Sequence, residues 1–235
     1  MGSDGAERIE TLAALGQVAA GVTHEVRNVM TGILGFAQVA MRKIDGDPQA
    51  VSELLQLIEK ETQRCVDVLT QFLSFTRPSG AAKVPVDIGD IIVSVGRLMH
   101  HQLNMSRVKL DVELAPALPL ALADASALKQ VVLNLVINAM HAVGDKGGHV
   151  QLRAQRGGDG MLELSVADDG PGVAGDVAER IFEPFFTTKP VGQGSGMGLH
   201  VSRGIVEEHG GTLRLEPAST GGGAVFTIRL PVYGG

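Results

Sequence analysis

Apolar residues recur along the first forty positions in alternating steps of three and four: Leu12, Leu15, Ala19, Val22, Val26, Val29, Ile33, Phe36 and Ala40. Such spacing marks a helix packed along a seam, as in coiled coils and helix bundles. It predicts one helix from about Glu7 to Lys43. Asp45-Gly46-Asp47-Pro48 is a turn signal, and Pro48 suits the first turn of a second helix. That helix carries Val51, Leu55, Ile58, Thr62, Cys65, Leu69 and Phe72 at the same spacing and stops before Arg77-Pro78-Ser79-Gly80. Two long helices joined by a short turn form an antiparallel hairpin, and a lone hairpin cannot enclose its apolar seam. Two hairpins from two chains can, as a four-helix bundle. Residues 1–77 are therefore expected to be a dimerisation module, and the chain a homodimer.

His24 lies two residues from both Val22 and Val26. Two residues turn a helix by roughly 200°, so the imidazole is expected to point away from the seam, with Glu25 and Asn28 within a turn of it. Three readings compete. One is a surface histidine without a role. A second is zinc, because His-Glu opens the signature H-E-x-x-H; Asn28 occupies the place of the second ligand, and that reading fails. The third is a nucleophile, with Glu25 orienting the ring or taking its proton. The third needs an electrophile from the rest of the chain.

The 235 residues suffice for one large or two small domains, and the net charge of −6 without a long basic block argues against a nucleic-acid partner. Aromatic residues make up only 3%, so the core is expected to be aliphatic. No apolar run approaches the ~20 residues that span a membrane, and no secretory signal opens the chain. The lone Cys65 fits a reducing, cytoplasmic compartment.

After a Pro/Gly/Ala linker from Arg77 to Lys83 the pattern changes, and residues 78–235 read as a second domain. Helices are expected at Ile88 to Leu103, Ser126 to Val143 and Ser195 to His209. Strands are expected at Val108 to Leu114, Leu118 to Ala123, His149 to Arg156, Met161 to Ala167, Thr212 to Glu216 and Ala224 to Leu230. Runs of antiparallel strands with long helices suggest an α+β sandwich with helices on one face.

Four clusters in this domain carry chemistry. Asn134 and Asn138 stand one turn apart on one helix face, and an amide oxygen is an acceptable Mg²⁺ ligand where phosphates bring the charge. Asp168-Asp169-Gly170-Pro171-Gly172 puts a carboxylate at a strand end. Ile181-Phe182-Glu183-Pro184-Phe185-Phe186-Thr187-Thr188-Lys189 gathers three of the seven Phe beside a Lys. Gly192-Gln193-Gly194-Ser195-Gly196-Met197-Gly198-Leu199 leads bare backbone amides into a helix N-terminus, a phosphate-binding arrangement. It matches neither the P-loop nor the dinucleotide pattern. Each cluster also has a plainer reading: solvated helix face, ordinary turn, buried anchor, flexible linker.

Taken together, the clusters resemble the catalytic core of sensor histidine kinases of two-component signalling. His24 to Asn28 resembles the phospho-acceptor box, Asn134 to Asn138 the N box, Asp168 to Gly172 the G1 box, Phe182 to Phe186 the F box, and Gly194 to Leu199 the G2 box. The resemblance spans nearly the whole chain. It implies the ATP-binding fold shared with gyrase- and Hsp90-type ATPases, ATP and Mg²⁺ as cofactors, and a response-regulator receiver domain as partner. It also implies site roles: Asp168 toward the adenine amino group with Gly170 and Gly172 shaping its turn, Asn138 on Mg²⁺, Asn134 close to the phosphates, and Lys189 on phosphate. Residues 182–198, with Phe182, Gly194, Gly196, Gly198 and Leu199, would form a mobile lid. Departures from the family are Val29-Met30, where Pro-Leu is common, and Asp169, where Asn is common. The expectation is an ATP-dependent histidine kinase that phosphorylates His24, passes the group to a receiver aspartate and can also dephosphorylate it. A hydrolytic ATPase of the same fold and a nucleotide-binding dimeric scaffold are the alternatives.

Overall fold

The computed structural model describes residues 23, 26–44, 46–76, 82–144, 147–189, 196–216 and 222–234. His24, Glu25, Gly194, the expected helical stretch 7–22 and the linker around Arg77 lie outside the described residues, as do the side chains of Leu69 and Phe72. The chain divides into two compact units, one containing the two N-terminal helices and one containing the sheet.

In the first unit, helix α1 is described over 26–43 and helix α2 runs Pro48–Thr76. The turn closes through the Gly46 and Asp47 amides, which both donate to the Lys43 carbonyl, at 3.1 and 3.0 Å. Asp47 Oδ1 accepts from the Ala50 amide at 3.0 Å and so caps α2, one residue before the proline that needs no donor partner there. On α1 the expected seam is the less exposed face: Val29 and Ala40 are buried, and Val26, Ile33 and Phe36 are half-buried. On α2 the expected positions Val51, Ile58 and Cys65 are sheltered, but Leu54 and Glu61 share that face in place of Leu55, which is 55% exposed, and Thr62, which is exposed. Both helices carry a second apolar stripe, and periodicity alone does not say which stripe faces inward. Met30, Leu34 and Met41 on α1 and Leu55 on α2 are left exposed on the single chain.

The second unit runs β1 (Val84–Val86), α3 (Ile88–Met105), β2 (Val108–Leu114), β3 (Ala121–Ala123), α4 (Ala125–Val143), β4 (Gly148–Arg156), β5 (Met161–Asp168), a 3-10 turn (Arg180–Phe182), α5 (Gly198–Glu208), β6 (Thr212–Leu215) and β7 (Val225–Pro231). The main sheet has the order β2-β4-β5-β7-β6, and β1 and β3 form a separate antiparallel ribbon. From β4 onward the pairing is antiparallel as expected, but β2 pairs with β4 in parallel, Val108 opposite Gly148 through Leu114 opposite Ala154. The sheet is therefore mixed. The reason is topological: β3 and α4 intervene, and a crossover returns the chain in the same direction.

One face of the sheet is apolar. Val150, Leu152 and Ala154 of β4, Leu162, Leu164 and Val166 of β5, and Phe226, Ile228 and Leu230 of β7 alternate inward into one core with Leu128, Val131, Val132 and Leu135 of α4. Phe182 and Phe226 are the buried aromatic residues among those described, so the core is aliphatic as composition implied. The opposite face is polar and carries cross-strand pairs, His149 with Asp111 at 2.6 Å, Arg153 with Glu113 at 3.8 Å and Arg229 with Glu163 at 4.0 Å. α4 is long and apolar enough by composition to cross a membrane, yet its apolar stripe is the centre of this core.

Candidate nucleotide site

Two helix starts and one strand end build the site. α4 is started by Asp124, whose Oδ1 accepts from the Ser126 and Ala127 amides at 2.8 and 3.2 Å. The Asp124 amide donates to His209 Nε2 at 2.9 Å, and His209 Nδ1 lies 2.7 Å from the Ile205 carbonyl. His209 is buried, and its two ring nitrogens tie the end of α5 to the start of α4. The tie fixes the face of α4 that presents Asn134 and Asn138, both half-buried.

Asp168 ends β5. Its Oδ1 accepts from the Gly170 amide at 2.9 Å and the Ala224 amide at 3.3 Å, while its own amide donates to the Ala224 carbonyl at 2.9 Å. Burial pushes its carboxyl above the ordinary value. The two amide bonds pull the other way and lose, and the neighbouring Asp169 adds to the rise. A carboxylate held partly out of water, with one oxygen engaged by backbone, offers its other oxygen to a donor such as an exocyclic amine. Asp169 is exposed, and its Oδ1 accepts from the His149 amide at 2.8 Å, a turn-closing role. Gly170 has no room for a side chain: a Cβ there would sit 2.8 Å from Asp168 Oδ1 and 3.0 Å from the Ala142 carbonyl carbon of α4. Gly172 has φ +76° and backs onto the Gly223 carbonyl oxygen.

Phe182 is 6% exposed and makes an edge-to-face pair with Phe226, centroids 6.3 Å apart. Arg203 of α5 lies 4.4 Å over the Phe182 ring and reaches Glu207 at 3.6 Å; His200 Nδ1 lies 3.1 Å from the Phe182 carbonyl. The phenylalanine cluster is thus anchored to α5 by its first ring. Phe185 is exposed, in the left-handed region at φ +66°. Gly196, at φ +67°, lies back to back with it, and any Cβ would overlap the Phe185 backbone. Phe185, a bulky residue held in the left-handed region, is local strain of the kind seen at functional sites, and Gly196 gives it the room to stay there.

α5 begins at Gly198, three residues later than expected, with Met197 at the cap position supplying no side-chain capping bond. A helix N-terminus of eleven residues without such a cap suits an anion. Leu199 is half-buried beside it. Asn134 Nδ2 donates to Ser202 Oγ at 2.9 Å, and a Cβ at Gly198 would overlap Asn134 Oδ1. The structure therefore brings together Asn134, Gly198 and Leu199 at the α4–α5 contact, Asp168, Gly170 and Gly172 at the end of β5, and Phe182 with Gly196 at the start of α5. Asn138 is on the Asn134 side of α4. Lys189 is half-buried and falls outside that compact unit, and Asn28 is exposed on α1. Sequence reasoning missed Ser202, Arg203, His209 and the Gly222-Gly223-Ala224 stretch. The buried polar character of Ser202 and His209 on an otherwise apolar helix face was the available signal.

Residues 14–80 match the His Kinase A (phospho-acceptor) domain, and residues 123–234 match the histidine kinase-, DNA gyrase B- and HSP90-like ATPase family. Sensor histidine kinase ZraS of Klebsiella oxytoca is 38% identical over 227 residues, 97% of this chain and 48% of ZraS. The chain thus spans about half the length of that relative. Among solved structures, the catalytic domain of histidine kinase ThkA is 30% identical with a TM-score of 0.58, covering 65% of this chain and 97% of that one. ThkA in complex with response regulator protein TrrA is 29% identical with a TM-score of 0.72, covering 96% of this chain and 64% of that one. A helical hairpin that matches the phospho-acceptor model, followed by a sandwich that matches the ATPase model, with a sensor histidine kinase similar over 97% of the chain, has one conclusion: the chain belongs to the sensor histidine kinases.

Proposed function

We propose that the protein is an ATP-dependent protein histidine kinase acting as a homodimer in the cytoplasm. The observation that carries the reading is the pairing of two features in the second unit: a desolvated Asp168 at one strand end, and beside Asn134 an α5 N-terminus whose cap residue, Met197, makes no side-chain capping bond. In this reading Asp168 accepts from the adenine amino group, and Gly170 and Gly172 keep its turn tight. The first-turn amides of α5, with Gly194, Gly196, Gly198 and Leu199, receive the phosphates, and Lys189 adds positive charge to them. Phe182 anchors the lid, residues 182–198. Asn138, with Asn134 one turn away, fits Mg²⁺ because amide oxygens are hard, neutral ligands. When bound, Mg²⁺ neutralises charge on the phosphate oxygens.

His24 attacks the γ-phosphorus. A P–N bond forms, the bond from the γ-phosphorus to the bridging oxygen breaks, and ADP leaves; Glu25 takes the imidazole proton. The phosphoryl group then passes to an aspartate carboxylate of a response-regulator receiver domain. Asn28 cannot act as a base, but it can hold a water against the resulting acyl phosphate, which suits dephosphorylation. A purely hydrolytic ATPase is disfavoured, since an amide at Asn134 cannot activate water by accepting its proton at neutral pH.

Incubation with γ-labelled ATP tests the reading. Label should survive base and be lost in acid, and His24→Gln should abolish it while ATP still binds. In the same assay Asn28→Ala should slow loss of label from the receiver and spare autophosphorylation. A base-labile label, or label retained by His24→Gln, contradicts the assignment.

A further inference from the structure

We infer that Ser202 is a positioning residue for the Mg²⁺-loaded nucleotide, acting through Asn134; this rests on the nucleotide-binding reading above. Ser202 is 2% exposed, one of three buried polar residues among those described, on a helix whose packed positions otherwise serve the core. Packing alone would be served by alanine or valine. A hydroxyl taken out of water is costly unless it is bonded, and this one is bonded to Asn134 Nδ2 at 2.9 Å.

Gly198 and Ser202 are four residues apart, so both lie on one face of α5. Asn134 of α4 rests across that face. Its Oδ1 occupies the space a Cβ at 198 would need, and its Nδ2 meets the hydroxyl one turn further along. α5 thus seats the amide by both ends. The hydroxyl oxygen accepts the Nδ2 proton. The amide is then held with its oxygen at the first turn of α5, where phosphates would bind, and its nitrogen turned inward. The oxygen is the end that suits a hard cation or a cation-bound water. Without the hydroxyl, Nδ2 is left in a poorly hydrated place, and the amide gains by rotating away from this orientation.

The test uses the full chain as wild type, Ser202→Ala, Asn134→Ala and the double variant. Nucleotide affinity is read by displacement of a fluorescent ATP analogue with and without Mg²⁺, alongside the Mg²⁺ dependence of autophosphorylation and the thermal midpoint. Ser202→Ala should weaken Mg²⁺-dependent ATP binding about tenfold, the scale of one buried hydrogen bond, and raise the Mg²⁺ needed for half-maximal labelling by a similar factor. Affinity for ATP without Mg²⁺ should hold. In the Asn134→Ala background, Ser202→Ala should have no further effect on Mg²⁺ dependence. An unchanged Mg²⁺ dependence in Ser202→Ala overturns the inference, and so does an equal loss in both backgrounds, which would make Ser202 a packing residue only. Wild-type protein that binds no ATP overturns the nucleotide-binding reading itself, and this inference with it.

Discussion

At the scale of single residues, Asp168 shows two opposed effects with a clear winner. Two backbone amides favour the carboxylate, yet burial raises its carboxyl above the ordinary value. The native chain therefore holds a proton on Asp168 at pH values where the unfolded chain has released it. Stability from this group is fully present below the ordinary carboxylate pKa and is lost as pH rises through the raised value. On the proposed reading ligand binding follows the reverse course, because the ionised carboxylate is the form that would accept from the adenine amino group. We predict that ATP affinity falls on acidification through the range just above the ordinary carboxylate pKa. Asp168→Asn should flatten that profile, reduce the preference for ATP over GTP by at least tenfold, and leave stability at neutral pH equal or higher. A site built around a buried hydrogen bond rejects an analogue that lacks it. Binding isotherms for both nucleotides across pH, with thermal melts, check all three; an unaltered ATP preference in Asp168→Asn would remove the residue from base recognition.

Elements differ in how far the sequence foretold them. α2, α3, α4, β4 and β5 lie within about two residues of expectation, because each has a strong period and most have a capping residue or turn at the end. β1 was missed: it has three residues, one of them Pro85, too few for a period to register. The parallel pairing of β2 with β4 was missed because an alternating strand carries no mark of its neighbour's direction. Within the site, glycines and asparagines were legible as unusual patterns, whereas Ser202 and Arg203 take meaning only from Asn134 and Phe182, far off in sequence. On α2 the expected Val51, Ile58 and Cys65 hold, and Leu54 takes the place expected of Leu55 because the two adjacent leucines are equally apolar. That doubling has a use. The stripe of Met30, Leu34, Met41 and Leu55 stays exposed on one hairpin. Re-burying each side chain contributes about 1–2 kcal/mol, so several per chain from two chains can offset the ~4–15 kcal/mol cost of association. We predict a dimer in sedimentation. Leu55→Glu should shift it to monomer at micromolar concentration while nucleotide affinity changes less than twofold. A dimer unaffected by Leu55→Glu would place the interface elsewhere.

For the molecule as a whole, the mixed sheet joins residues far apart in sequence. The carboxylate of Asp168 closes onto the amide of Ala224, 56 positions later, and β7 lies between β5 and β6 rather than at an edge. α1 and α2, by contrast, are joined by a turn of a few residues. Local contacts form early, and contacts that close long loops form late. The chain therefore has a built-in timetable. As it leaves the ribosome, the helical hairpin can fold and find its partner while the Asp168 turn is still half made, and the proposed nucleotide seat is incomplete until β7 inserts. Pulse-labelled hydrogen exchange during refolding should show α2 amides protected first, and the Ala224 amide protected together with the onset of nucleotide binding. Binding that precedes protection of β7 would refute that order. On the proposed reading a dimer assembled in this order is paired before either half captures ATP, and a chain cut short of β7 pairs without binding nucleotide.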